Sequence, residues 1–149
     1  MLKLKFNKYR PEQSLGFLLW QATHAWQRQI SDVLRPLGLT HMQFVLMSGL
    51  SWLAGRDKTV TQIMLASHAN VDVMMASNVI RTLARKNLVE RKKHPSDARA
   101  QQLLLSEQGV ALLKRAIDQV EQNDTVFFEG VQAEQADLHK ALLTLLVGK

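Results

Sequence analysis

A mainly α-helical fold carrying one small β-hairpin is predicted by three features of this 149-residue sequence. Apolar residues recur at helical spacing in about six segments, separated by Pro, Gly or polar breaks. Residues 88–105 read instead as two short strands around a turn, His94-Pro95-Ser96-Asp97. Positive charge concentrates at the same place. Of a net +6, residues 81–99 hold seven Lys/Arg against two acids, while residues 100–149 hold four against seven. A short helix, a longer helix, then strand, basic hairpin and strand is the layout of a winged helix-turn-helix, so the fold class is α+β with a wing. Cations concentrated in this way suit a phosphate backbone, because each neutralised phosphate releases counterions.

Length and composition bound the rest. The chain is long enough for one domain or one compact subunit, and 46% hydrophobic residues with three Trp supply a core. No apolar run approaches bilayer length, and residues 1–20 lack a small-residue cleavage pattern, so neither a membrane span nor a signal peptide is expected. Cysteine is absent, which removes disulfides, thiolate zinc sites and thiol redox sensing and agrees with a cytoplasmic location. The five His are scattered over different elements without a His-x-x-x-His pair, so no metal site is expected. Without a Gly-rich phosphate loop, paired carboxylates or a Ser/His/acid set, the chain reads as a non-enzyme with no cofactor.

In chain order, residues 1–13 form an arm in which Leu2, Leu4 and Phe6 alternate with lysines. It packs on a partner or reaches phosphates. Ser14 caps a helix to about residue 34, with Leu15, Leu18, Leu19, Ala22, Trp26, Ile30, Val33 and Leu34 on its apolar face. Phe17 and Trp20 widen that face beyond what one small neighbour covers, which points to burial in a second subunit. Pro36 and Gly38 end the helix. Thr40 caps the next, about 41–54, with Met42, Val45, Leu46, Gly49, Leu50 and Leu53 inward. Mid-helix Gly49, costly by roughly 1 kcal/mol against Ala, implies a close helix crossing.

Val60 reads as a one-residue strand pairing with the wing, and Thr61 caps a short helix to His68 with Ile63, Leu65, Ala66 and Ala69 inward. Asp72 caps the following helix. Its expected core stripe is Met75, Val79 and Leu83 beside Ala76 and Ile80, with Met74, Ser77, Asn78, Arg81 and Arg85 opposite. Asn87 stops it in the left-handed conformation. Ser106 caps a helix to about residue 129 with Val110, Leu113, Ile117 and Val120 inward, and Gly130 separates it from a last helix, about 133–147, built on Leu138, Leu142, Leu145 and Leu146.

The segments LGLTHMQFVLMSGL, TLARKNLVERKKHPSDARAQQLLLSEQG and ADLHKALLTLL together resemble the MarR family of bacterial transcription regulators, over nearly the whole chain from Ser14 on. The Asp-x-Arg wing followed by a strand and a Leu-Ser-x-x-Gly helix start is the specific part. Asn87 departs from the family's frequent Gly, Ala98 from a second Arg, and Met74-Met75 from smaller or polar residues.

The resemblance implies a homodimeric, sequence-specific double-stranded-DNA-binding regulator, a repressor, with a near-palindromic operator. Residues 1–35 and 106–149 would form the dimerisation region and residues 36–105 the DNA-binding domain. In the recognition helix, Ser77, Asn78 and Arg81 are candidate base readers, since Asn can bond adenine and Arg guanine with two bonds each. Met74 is a candidate for a thymine methyl, and Arg85 and Lys86 for phosphates. In the wing, Lys92, Lys93 and His94 would meet the backbone. On the family pattern Arg99 would enter the minor groove while Asp97 steadies the hairpin, the alternative being an Asp97–Arg99 pair inside the wing. The family also implies a small aromatic or lipophilic effector between the two regions. Trp20, His24, Gln27, Met47 and Trp52 are candidate lining residues, with plain core as the alternative for each. A winged-helix protein-interaction module without specific DNA binding is the rival reading.

Overall fold

The computed structural model describes residues 10–56, 59–95 and 100–147. Among them the order is α1 (Leu15–Leu34), α2 (His41–Ala54), α3 (Gln62–His68), α4 (Val73–Arg85), β1 (Val89–Lys93), β2 (Gln101–Leu105), α5 (Glu107–Phe127) and α6 (Gln135–Leu146), with 3-10 turns before α1, between α1 and α2, and before α6. This is the winged helix-turn-helix that the sequence predicts. The predicted N-caps are the observed ones: Ser14, Thr40, Thr61, Asp72 and Ser106 each accept from a backbone N–H of the first turn. Thr40 and Gln43 complete a reciprocal capping box.

The core lies where α2, α3, α4 and the hairpin meet α5 and the C-terminal part of α1. Leu46, Met47, Leu50, Leu65, Ile80, Leu83 and Leu103 are fully enclosed there. Gly49 marks the expected close crossing, since a Cβ at that position would lie 3.0 Å from Cδ2 of His68 and 3.1 Å from Cδ1 of Leu65. β1 and β2 pair antiparallel from Val89↔Leu105 to Lys93↔Gln101. Val60 contributes one hydrogen bond, its carbonyl accepting from the Leu103 N–H at 2.8 Å, without forming a strand.

Three core expectations are corrected. In α4 the buried seam is Ala76, Ile80 and Leu83, and Met75 is 47% exposed. In α5 it is Leu113, Ala116 and Val120, with Val110 exposed. In α3, Ile63 is 69% exposed. Each of the three helices buries an alanine, Ala66, Ala76 or Ala116, in its seam while a larger apolar residue stays exposed.

Where α1, α2 and α5 meet, the Trp26 indole N–H donates to Asp124 at 2.7 Å and the Trp26 ring stands edge-on to His41 at 5.1 Å. Burial lowers the His41 pKa below its ordinary value of 6.5, outweighing the opposing attraction of Asp124. The unfolded chain therefore takes up the proton first. This contribution to stability is present above pH 6.5 and is lost as the pH falls below it. Thermal melts at about pH 7.5 and about pH 5.5 should show a smaller acid-induced fall in Tm for His41→Gln than for the wild type. Equal falls would remove His41 as the cause.

Candidate nucleic-acid interface

The helix-turn-helix is built locally. Asn70 adopts φ 51°, which lets the N–H of Val71 reach the carbonyl of Ala66 at 3.0 Å and turns the chain out of α3. Asp72 then starts α4, its carboxylate accepting from the N–H groups of Met74 and Met75 at 2.8 and 3.1 Å. Asn87, at φ 57°, ends the helix as its residue type predicts.

Opposite the buried Ala76–Ile80–Leu83 seam, Met74, Asn78, Arg81 and Arg85 fall at i, i+4, i+7 and i+11, one line along the outside of α4. All four are exposed, and Ser77 is half-buried beside them. Asn78 Oδ1 accepts from Arg81 Nη1 at 3.4 Å, and Arg85 Nη2 donates to Thr82 Oγ1 at 3.2 Å. These are light tethers that hold the side chains along the helix without consuming their hydrogen-bonding capacity.

Lys86 also reaches back to α2. Its ammonium donates to the carbonyl of Gly38 at 2.7 Å and to Gln43 Oε1 at 3.2 Å. Gln43 is only 6% exposed, and the same oxygen accepts from the Thr40 N–H at 3.2 Å. Lys86 thus ties the end of α4 to the start of α2. Lys86→Met should lower stability by about 1 kcal/mol while leaving the salt dependence of DNA binding unchanged, whereas loss of a phosphate contact would reduce that slope by about one. A thermal melt and a salt titration read the two effects separately.

On the wing, Val89 and Leu103 turn into the core while Arg91, Lys92 and Lys93 are exposed. Lys92 Nζ lies 3.1 Å from Glu90 Oε2, two residues away on the same face. An exposed pair of this kind is weak enough to be exchanged for a phosphate. The His94 N–H donates to the Ala100 carbonyl at 3.4 Å, closing the base of the hairpin tip. Asp97 and Arg99 lie outside the described residues.

The five candidate pocket residues do not share one cavity. Met47 is fully buried core. Trp20 and His24 pack together on α1 with ring centroids 4.1 Å apart, and His24 and Gln27 border a shallow groove along that helix. Of the five, Trp52 alone lines a cleft of about 870 Å³ between α2, the end of α3 and α5. Phe44, Ser48, His68 and Ile117 line it too, and Arg56 stacks over the Trp52 ring at 4.3 Å. Sequence reasoning missed these residues because they converge from elements tens of residues apart. The local signal was only the Gly49 crossing beside His68.

The fold and the outward face of α4 define a winged helix-turn-helix protein of the DNA-binding class. Comparison with known proteins narrows the class: the MarR family model matches residues 39–100. The uncharacterized HTH-type transcriptional regulator YdcH of Bacillus subtilis is 42% identical over 125 residues, 84% of this chain and 85% of that protein. The MarR family protein Rv2887 of Mycobacterium tuberculosis, solved in complex with salicylic acid, superposes with a TM-score of 0.67 at 31% identity, covering 89% of this chain and 96% of that one. A MarR variant from E. coli complexed with operator DNA shares the fold, with a TM-score of 0.77 at 22% identity over 89% of this chain and 93% of that one. The chain belongs to the MarR family of transcription regulators.

Proposed function

We propose that the protein is a homodimeric repressor that binds a near-palindromic operator in double-stranded DNA and is released by a small aromatic or lipophilic ligand. The observation that carries the reading is the line Met74–Asn78–Arg81–Arg85, set opposite the core seam of the helix that leads into the exposed cations of β1. That line presents hydrogen-bonding groups for base edges at its middle and cations for phosphates at its end. Dimerisation through residues 1–35 and 106–149 is supported by apolar surface that one chain leaves uncovered. Leu15, Leu18, Leu19 and Trp20 on α1, and Leu143, Leu145 and Leu146 on α6, are all exposed. The salicylate complex of Rv2887 and the largely apolar Trp52 cleft support a ligand that biases the dimer toward a geometry misfitting the operator.

The test is binding to DNA fragments retained from the protein's own genome, measured across a salt series. Affinity should fall log-linearly, by about a thousandfold or more between roughly 50 and 200 mM salt. Retained fragments should share a near-palindrome whose half-sites are about one helical turn apart. Enrichment of no fragment, or binding indifferent to both sequence and salt, sinks the reading. Salicylate is the first ligand to add, with a rightward shift of the binding curve expected.

A further inference from the structure

The outward line of α4 opens with an apolar tier that core packing does not use. Met74 is 70% exposed, with Val73 and Met75 exposed beside it, while Ala76 is fully buried. This end of the helix is poorly suited to a phosphate. The N–H groups of Met74 and Met75 are already taken by the Asp72 carboxylate, which adds negative charge at the same place. The cations of the helix, Arg81 and Arg85, begin two turns further on. Another protein is a poor occupant too, because the tier is continuous along α4 with Asn78, Arg81 and Arg85, and the helix leads into the exposed basic strand β1, a setting complementary to a polyanion. In the major groove the one apolar group on any base edge is the C5 methyl of thymine. A flexible, polarisable thioether side chain is well fitted to pack on it.

Resting on the DNA-binding reading above, we infer that Met74, with Met75 beside it, is a specificity-determining residue that selects thymine under the N-terminal end of α4 by packing on the C5 methyl. Asn78 and Arg81 read hydrogen-bonding edges further along the groove. The operator therefore carries a thymine in each half-site whose value to the protein lies in its methyl group.

The test uses the full chain and duplexes that it selects from a random-sequence pool. Each thymine of the selected consensus is replaced in turn by deoxyuridine, which removes the methyl and leaves every hydrogen-bonding group in place. At one or two positions per half-site the wild type should lose affinity by about fourfold for each methyl removed. Met74→Ala should bind the thymine duplex as weakly as the wild type binds the deoxyuridine duplex, and should no longer distinguish the two. Asn78→Ala should retain the methyl effect at those positions. Because Met74 is exposed, the Tm of the Met74→Ala protein should match the wild type, so that a binding loss is not a folding loss. A wild type indifferent to deoxyuridine everywhere, or a Met74→Ala protein with undiminished discrimination, overturns the inference and leaves the DNA-binding reading standing. If no duplex is enriched from the pool, both fall together.

Discussion

Gly109→Ala is expected to lower stability by about 3 kcal/mol, and Tm by about 6–12 °C. A Cβ on Gly109 would lie 2.1 Å from the carbonyl oxygen of Leu88 and 3.0 Å from its carbonyl carbon, both backbone atoms. That carbonyl accepts from the Ser106 N–H at 3.1 Å, and the Ser106 hydroxyl donates to the Asn87 carbonyl at 2.6 Å while accepting from the Gly109 N–H at 2.9 Å. Leu88 and Val89 are buried, and Val89 is paired with Leu105, so the strand has no slack to move away. Alanine's better helix propensity, roughly 1 kcal/mol, is outweighed by this clash. Gly130→Ala is the control, because nothing lies within 4 Å of a Cβ there, and it should leave Tm nearly unchanged. Thermal unfolding followed by circular dichroism measures both. A loss below about 1 kcal/mol for Gly109→Ala would mean that the turn at Leu88 yields.

Arg81→Ala should weaken binding to the selected operator about 10- to 100-fold and leave Tm unchanged. Arg81 is exposed, and its one described tether is the 3.4 Å contact to Asn78, so the fold does not depend on it. On the proposed reading, the guanidinium at the middle of the outward line bonds the two acceptors of a guanine edge. Its loss should therefore weaken the consensus far more than a scrambled duplex. Arg85→Ala should instead weaken both alike and reduce the salt slope by about one. Fluorescence anisotropy on the two duplexes distinguishes the cases, and equal losses for Arg81→Ala would reassign it to the phosphate backbone.

Much of the frame was legible in the sequence because it is set by contacts a few residues long. An N-cap acts over three residues, so Ser14, Thr40, Thr61, Asp72 and Ser106 declare the starts of their helices. Asn87 declares an end in the same way, and the apolar start at Leu88-Val89, the basic run and the turn after it declare the hairpin. The choice between neighbouring stripes was not legible. Met75 outranks Ala76 in hydrophobicity, yet Ala76 is fully buried and Met75 is 47% exposed. Lys86 reads in sequence as one more cation on a basic helix, but its acceptors Gly38 and Gln43 lie 48 and 43 residues away. The same limit explains Met47: a large flexible side chain at helical spacing looks alike whether it lines a pocket or fills a core, and here it is fully enclosed.

By itself, then, the sequence determined the order of elements, the helix caps, the hairpin and the segment where positive charge accumulates. Each depends on local backbone chemistry or on composition. The tertiary structure decided that Met75 stays out of the core stripe of α4, that Lys86 holds α2 and α4 together, that Trp52 alone of five candidates borders the 870 Å³ cleft, and that Gly109 admits no side chain. Those outcomes are set by close packing between segments far apart in the chain, where a few tenths of an ångström of available space count for more than the hydrophobicity or charge of any single residue.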